Sequence, residues 1–122
     1  MGNILVIDDE PNVRLLIRKM LESEGHTVIE ASDGIEGVES YHKSPVDVII
    51  TDLIMPDKEG LETIHELKKE YPDIKIIAMS GTGNSDIHLG TAKLLGATAV
   101  LTKPFKKESL LVKIRELSPS EE

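Results

Sequence analysis

The sequence predicts one doubly wound α/β domain, in which a five-stranded parallel sheet lies between two layers of helices. Short runs of apolar, often β-branched residues recur five times along the chain, which is typical of strands buried on both faces. A helical pattern follows each run, and such alternation indicates right-handed crossovers within a parallel sheet. The length of 122 residues suits one domain with one core and excludes a barrel of eight repeats.

The first strand and the first helix are bounded by residues that suit their ends. Residues 4–7 form the predicted strand, which stops at the acidic run Asp8-Asp9-Glu10. Pro11 suits the first position of a helix, because its missing N–H would have no partner there. Apolar residues then recur at helical spacing as far as Gly25, where the helix is predicted to end.

A short strand and a second helix follow. Residues 27–31 form the strand, and Ser32-Asp33-Gly34 opens the helix. The apolar side of this helix is predicted to consist of Ile35, Val38 and Tyr41. Lys43-Ser44-Pro45 then breaks the helix, because proline disfavours helical backbone in the residue before it.

The third strand is the centre of the predicted sheet. It begins near Val46, is apolar almost throughout, and ends on the carboxylate of Asp52. Met55-Pro56 stops it, since proline has no N–H to donate to a neighbouring strand. Asp52 is therefore predicted at the carboxyl end of a buried strand, where open α/β sheets bind ligands.

The second half of the chain repeats the alternation of helix and strand. Its predicted elements are a third helix that ends at Tyr71-Pro72-Asp73, a strand over 74–79, a helix over about 85–95, a strand over 98–102 and a last helix to Leu117. The fourth helix is predicted to be weak, because Gly90 inside it costs about 1 kcal/mol relative to alanine. Residues 1–117 are thus predicted to form the domain, and residues 118–122 a polar tail or the start of a linker.

Composition excludes several classes of function. The net charge of −8 argues against nucleic acid or an anionic membrane as a direct partner. The absence of cysteine excludes disulfides, zinc fingers and thiol chemistry. No apolar run approaches the roughly 20 residues of a membrane span. The first residues lack the features of a signal peptide, so the predicted location is the cytoplasm.

Side chains that suit phosphoryl transfer follow four of the predicted strands. In the flavodoxin-like strand order 2-1-3-4-5, the crevice opens between strands one and three, so Asp8, Asp9 and Asp52 should meet there. Three carboxylates repel one another and either take up a proton or recruit a cation, and Mg²⁺ suits all-oxygen ligands. Ser80 and Lys103 end strands four and five, where a hydroxyl and an ammonium can hold phosphoryl oxygens. The set therefore indicates in-line attack of a carboxylate on a phosphoryl group.

The chain resembles the receiver domains of bacterial two-component response regulators. The resemblance covers residues 3–117 and is carried by an ordered set of motifs: Asp8-Asp9, Asp52 with Met55-Pro56 and Gly60, Ser80-Gly81, and Lys103-Pro104-Phe105. It implies that Asp52 accepts phosphate from the phosphohistidine of a sensor histidine kinase or a phosphotransfer protein. It also implies that Ser80 and Lys103 hold the phosphoryl oxygens, and that the Lys103–Pro104 bond is cis.

The resemblance further implies a metal and a contact face. Mg²⁺ is expected on Asp9, Asp52 and the backbone carbonyl of Ile54, with Asp8 acting partly through water. A downstream protein partner or a second copy of the chain is expected to bind the fourth helix, the fifth strand and the fifth helix. Val100 occupies a position where the family commonly has an aromatic residue whose ring turns inward. The fourth helix and the Thr82-Gly83 loop are therefore the expected switching element.

Two other functions on this fold fit the residues less well. A phosphatase with an aspartyl-phosphate intermediate needs a second acid two residues after the nucleophile, and Ile54 stands there. A flavin- or nucleotide-binding module needs a glycine- or hydroxyl-rich cradle after the first strand, where the acidic run over 8–10 would repel a phosphate. A scaffold that has lost phosphorylation is disfavoured, because every acceptor-site residue type is present. Whether the receiver stands alone or belongs to a longer regulator is left open by the sequence.

Overall fold

All ten predicted elements are present in the computed structural model, which describes residues 2–53, 60–81 and 85–117 and, of residues 85–89, the backbone alone. The five strands are β1 (Asn3–Ile7), β2 (Thr27–Ala31), β3 (Val48–Asp52), β4 (Ile76–Ser80) and β5 (Ala99–Thr102). The five helices are α1 (Pro11–Glu22), α2 (Gly34–Lys43), α3 (Gly60–Glu70), α4 (Ser85–Leu95) and α5 (Lys107–Leu117). None of these helices combines the length and the apolarity that crossing a bilayer requires.

The strands form one parallel sheet in the order β2-β1-β3-β4-β5, as predicted. β1 and β3 are neighbours although β2 lies between them in the chain, so the strand order reverses at this pair. The carboxyl ends are in register, with Asp52 opposite Met79 and Ser80 opposite Thr102. The polar residues that follow these strands are consequently delivered to one edge of the sheet.

The sheet separates two apolar clusters. Successive residues of a strand point to opposite faces, so Leu5 and Ile49 pack with α2, α3 and α4, whereas Ile4 and Ile50 pack with α1 and α5. All residues of β3 and β4 are buried. Both faces of the sheet are therefore covered, which explains why these strands are apolar at nearly every position.

The predicted start of β4 and the predicted apolar side of α2 need correction. β4 begins at Ile76 and not at Ile74, because the Ile74 N–H donates to the Tyr71 carbonyl at 3.0 Å in the turn after α3. Ile35 was expected on the apolar side of α2, but 52% of it is exposed. The buried side of α2 instead comprises Gly34, Gly37, Val38 and Tyr41. Ile35 lies about 100° around the helix from Gly34 and so points away from the sheet.

Replacing Gly90 by alanine is expected to raise the free energy of unfolding by about 0.5 to 1 kcal/mol, because alanine loses less backbone entropy in a helix. A Cβ at Gly90 would meet nothing within 4 Å, so no clash opposes this gain. Urea unfolding followed by circular dichroism measures the change.

Gly96 provides a control of opposite sign. It follows α4 with a φ of +118°, and a Cβ there would lie 2.7 Å from Cγ of Lys68. Gly96→Ala should therefore lower the free energy of unfolding, by about 1 kcal/mol or more. A loss of stability in Gly90→Ala would contradict the assignment of Gly90 to an open helical surface.

Candidate functional site

The carboxyl edge of the sheet gathers the polar side chains that the sequence places after its strands. Asp8 follows β1, and its N–H donates to the Ala31 carbonyl at the end of β2, at 3.1 Å. Asp52 and Ser80 are the last residues of β3 and β4. Lys103 follows β5, and its N–H donates to the Ser80 carbonyl at 2.8 Å. These backbone hydrogen bonds continue the pairing of the strands beyond their ends and therefore fix the Cα positions of Asp8 and Lys103.

Three carboxylates form an acidic cluster at this edge. One oxygen each of Asp8, Asp9 and Asp52 lies within 4.8 Å of the others. Asp8 is fully buried and Asp52 is 9% exposed, whereas Asp9 is open to solvent. Such a group of oxygens, closed on one side and open on the other, suits a cation that keeps some of its waters.

Lys103 compensates part of the charge of the acidic cluster. Its Nζ lies 3.1 Å from Oδ2 of Asp8 and 3.5 Å from Oδ1 of Asp52. The formal charges of three carboxylates and one ammonium sum to −2, which a divalent cation balances. The residues present therefore fit Mg²⁺ in ligand type, in spacing and in charge.

Backbone hydrogen bonds orient the two buried carboxylates. Oδ1 of Asp8 accepts the Glu10 N–H at 2.9 Å, and Oδ1 of Asp52 accepts the Leu53 N–H at 3.0 Å. The Thr51 hydroxyl donates to the Asp52 backbone carbonyl at 2.9 Å. Each carboxylate is thus held by its own loop before any ligand arrives.

Burial controls the protonation of the site. It raises the pKa of Asp52 to about 6, against the lowering effect of the Lys103 charge and with a smaller raising effect of the Asp8 charge. Burial alone would lower the pKa of Lys103, but the charges of Asp52 and Asp8 outweigh it and raise that pKa above its ordinary value. The site therefore pairs a carboxylate that is reluctant to ionise with an ammonium that stays charged.

Gly60 packs directly against the strand that carries Asp52. Its N–H donates to the Leu53 carbonyl at 2.9 Å. A Cβ at Gly60 would lie 2.0 Å from the backbone oxygen of Asp52 and 2.7 Å from Cα of Leu53. The first turn of α3 can therefore approach the end of β3 closely because position 60 has no side chain.

An apolar cavity of about 560 Å³ opens beside the site. Its polar end contains Asp52, Ser80 and Lys103, and its apolar wall is built by Val13, Leu16, Ile17, Met20 and Phe105. Leu16 is one of the apolar residues that recur at helical spacing in α1, yet 56% of it is exposed. Helical spacing predicts which residues share a face of α1. It does not show that Leu16 on this face lines a cavity and does not pack against another helix.

Several expectations from the resemblance can be compared with the structure. The Lys103–Pro104 peptide bond is cis, which confirms that expectation. Val100 is partly buried against the cluster under α2, α3 and α4. The carbonyl of Ile54 and the Thr82-Gly83 loop lie outside the described residues.

Comparison with known proteins identifies a family. The family model of the response regulator receiver domain matches residues 4–115. The chain is 32% identical over 114 residues to the chemotaxis protein CheY of Halobacterium salinarum. This alignment covers 93% of this chain and 94% of that protein. The structure of the response regulator protein TrrA of Thermotoga maritima, in complex with Mg(2+)-BeF, matches with a TM-score of 0.84 and 33% identity, covering 96% of this chain and 99% of that one.

Other curated relatives are longer than this chain. The chain is 34% identical to the sensor kinase CckA of Brucella abortus over 95% of its own length, but it spans 12% of that protein. It spans 52% of the response regulator RR06 of Streptococcus pneumoniae. The likeness to these proteins is therefore a likeness to one of their parts. The matches give no support to the phosphatase alternative.

Proposed function

The chain belongs to the receiver domain family of two-component response regulators, and we propose that Asp52 accepts a phosphoryl group in a Mg²⁺-dependent reaction. The donor is the phosphohistidine of a sensor histidine kinase or of a phosphotransfer protein. The observation that carries the proposal is the position of the Asp52 carboxylate: it belongs to the acidic cluster and lies 3.5 Å from the Lys103 ammonium.

The transfer exchanges one bond of phosphorus for another. An oxygen of Asp52 attacks phosphorus in line, the P–N bond of the phosphohistidine breaks, and the imidazole leaves with the electron pair. The product is an acyl phosphate on Asp52. The pKa of about 6 keeps most of Asp52 ionised at pH 7, so its oxygen can act as the nucleophile.

The other residues of the site bind the phosphoryl group and the metal. Lys103 supplies a charged donor next to the nucleophile, and Ser80 supplies a hydroxyl from the end of β4. Asp8, Asp9 and Asp52 would hold Mg²⁺, with the Ile54 carbonyl as a further ligand. Bound Mg²⁺ would neutralise charge on the transferring group. We propose that the chain is a signalling domain that catalyses its own phosphorylation and dephosphorylation.

The output is proposed to be a change of protein contacts. A phosphoryl group adds about −1.5 to −2 charges at pH 7 beside Lys103, which changes the local field. Leu94 on α4 and Val112 on α5 are exposed apolar residues, 88% and 43% accessible. They support the surface of α4, β5 and α5 as the place where a downstream partner or a second copy binds. The proposed location is the cytoplasm, which the cysteine-free composition favours.

Phosphorylation by a small donor tests the acceptor. The protein incubated with Mg²⁺ and acetyl phosphate is expected to gain the mass of one phosphoryl group in mass spectrometry, and EDTA should prevent the gain. Asp52→Asn should gain none, because an amide is not a nucleophile towards phosphorus. Asp73→Asn is the control, since Asp73 is an exposed carboxylate of the loop between α3 and β4, and it should be labelled like the wild type. Labelling of Asp52→Asn at the wild-type rate would refute the proposal.

A further inference from the structure

Arg14 contacts the backbone beside the acidic cluster. It lies on α1, and its side chain is 16% exposed. Its Nη1 donates to the backbone carbonyl of Asp8 at 2.6 Å, and its Nε donates to Oε1 of Glu30 at 3.0 Å. The fork of the guanidinium thus joins the edge strand β2 to the loop that follows β1.

Glu30 is itself held in place. Arg18, one turn further along α1, donates from Nη1 to Oε2 of Glu30 at 2.6 Å and from Nε to Glu22 at 3.0 Å. Burial alone would raise the pKa of Glu30, but the hydrogen bonds from Arg18 and Arg14 outweigh it and lower that pKa below its ordinary value. A chain of charge-assisted hydrogen bonds therefore runs from the surface of α1 to Asp8.

The carbonyl that Arg14 holds belongs to the peptide between Asp8 and Asp9. The N–H of Asp8 is held as well, by the Ala31 carbonyl at 3.1 Å. A donor fixed at this carbonyl sets the plane of the peptide, and this plane sets the directions in which both carboxylates leave the backbone. Mg²⁺ demands near-ideal octahedral geometry, so its affinity depends on these directions.

We propose that Arg14 is a positioning residue that sets the Mg²⁺ affinity of the site by holding the Asp8–Asp9 peptide. The inference rests on the proposed function in one respect, namely that Asp8, Asp9 and Asp52 bind Mg²⁺. Groups that hydrogen-bond to metal ligands without binding the metal typically contribute about 10- to 100-fold to the metal affinity.

The charge of Arg14 acts in the opposite direction. A guanidinium near the acidic cluster repels a divalent cation, so loss of the charge alone would tighten Mg²⁺ binding. Loss of the hydrogen bond to Asp8 should weaken it. The sign of the change in affinity therefore separates positioning from electrostatics.

Magnesium titration of the full chain by calorimetry, without any phosphodonor, tests the inference. Arg14→Gln is expected to raise the Kd for Mg²⁺ roughly tenfold. Arg18→Gln removes an equal charge and a contact to Glu30 but leaves the donor to Asp8, so its Kd should stay within about twofold of the wild type. Hydrogen exchange of the Glu10 amide, which donates to Oδ1 of Asp8, should quicken in Arg14→Gln and not in Arg18→Gln.

The outcomes can be told apart. An unchanged or lower Kd in folded Arg14→Gln overturns the inference. If Arg14→Gln does not fold, Arg14→Met replaces it: methionine keeps a long unbranched side chain but has no donor for the Asp8 carbonyl, so an unchanged or lower Kd in this variant also overturns the inference. Failure of the wild type to bind Mg²⁺ contradicts the proposed metal site itself, whereas normal binding by the wild type and Arg14→Gln contradicts the role of Arg14 alone.

Discussion

Replacing Asp52 by asparagine is expected to stabilise the metal-free protein by about 2 to 3 kcal/mol at pH 7.5, although it removes the proposed phosphoryl acceptor. Burial raises the pKa of Asp52 from 3.8 to about 6, so its ionised form is disfavoured in the folded state. A difference of one pKa unit corresponds to about 1.4 kcal/mol. The amide keeps an oxygen for the Leu53 N–H, which donates to Oδ1 at 3.0 Å in the wild type, and it carries no charge.

The gain should depend on pH with a defined sign. Between about pH 4 and pH 6 the folded wild type binds more protons at Asp52 than the unfolded chain does, so its stability falls as pH rises through this window. The stabilising effect of Asp52→Asn should therefore be absent near pH 4, grow up to about pH 6 and remain constant above. Urea unfolding in EDTA at several pH values measures this profile.

Magnesium and a second variant serve as controls. If Mg²⁺ binds the wild-type carboxylate as proposed, saturating Mg²⁺ should stabilise the folded wild type and so reduce or reverse the advantage of Asp52→Asn. Asp73→Asn, at an exposed position, should stay within about 0.5 kcal/mol of the wild type at every pH. A stability difference between Asp52→Asn and the wild type that is the same at pH 4 and pH 7.5 would disprove the burial of an ionisable Asp52.

Replacing Gly60 by alanine is expected to lower the free energy of unfolding by about 3 kcal/mol or more. The added Cβ would lie 2.0 Å from the Asp52 backbone oxygen and 2.7 Å from Cα of Leu53. Both atoms belong to the backbone, so no side-chain rotation relieves the clash, and overpacking of this kind typically costs about 1 to 3 kcal/mol or more. Thermal and urea unfolding measure the loss.

The same substitution should also disturb the site. Separation of α3 from β3 moves the backbone that carries Asp52, so phosphorylation of Gly60→Ala by acetyl phosphate should be slowed even at temperatures where the variant is folded. Asp73→Asn, at an exposed position in the loop between α3 and β4, should leave the phosphorylation rate unaltered. A fully active and stable Gly60→Ala protein would show that β3 and α3 are farther apart than described.

The strand order and the meeting of Asp8, Asp52 and Lys103 could be predicted because both follow from local patterns. Buried strands are recognisable as short apolar runs, and the carboxyl ends of parallel strands share one edge. Strand boundaries were less predictable. Ile74 is as apolar as the residues of β4, and only its hydrogen bond to Tyr71 shows that it belongs to the preceding turn.

Contacts between residues that are distant in the chain could not be predicted from the sequence. The guanidinium of Arg14 meets Glu30, sixteen positions away, and the carbonyl of Asp8, and no local pattern links these three residues. The need for glycine at position 60 likewise arises from the nearby backbone of β3. It does not arise from the conformation of Gly60, because its φ is not positive. Such close approaches depend on how two elements pack, which periodicity does not encode.

The ammonium of Lys103 gives the site an internal counter-ion. It lies 3.1 Å from Asp8 and 3.5 Å from Asp52, so a divalent cation that bound these carboxylates would compete with the ammonium for them. Metal uptake would then exchange one positive group for another and would weaken the interaction of the carboxylates with the lysine. The released ammonium would be available to an anion when the cluster has lost most of its negative charge. In the proposed function, metal binding and readiness for a phosphoryl group would thereby be linked through one side chain.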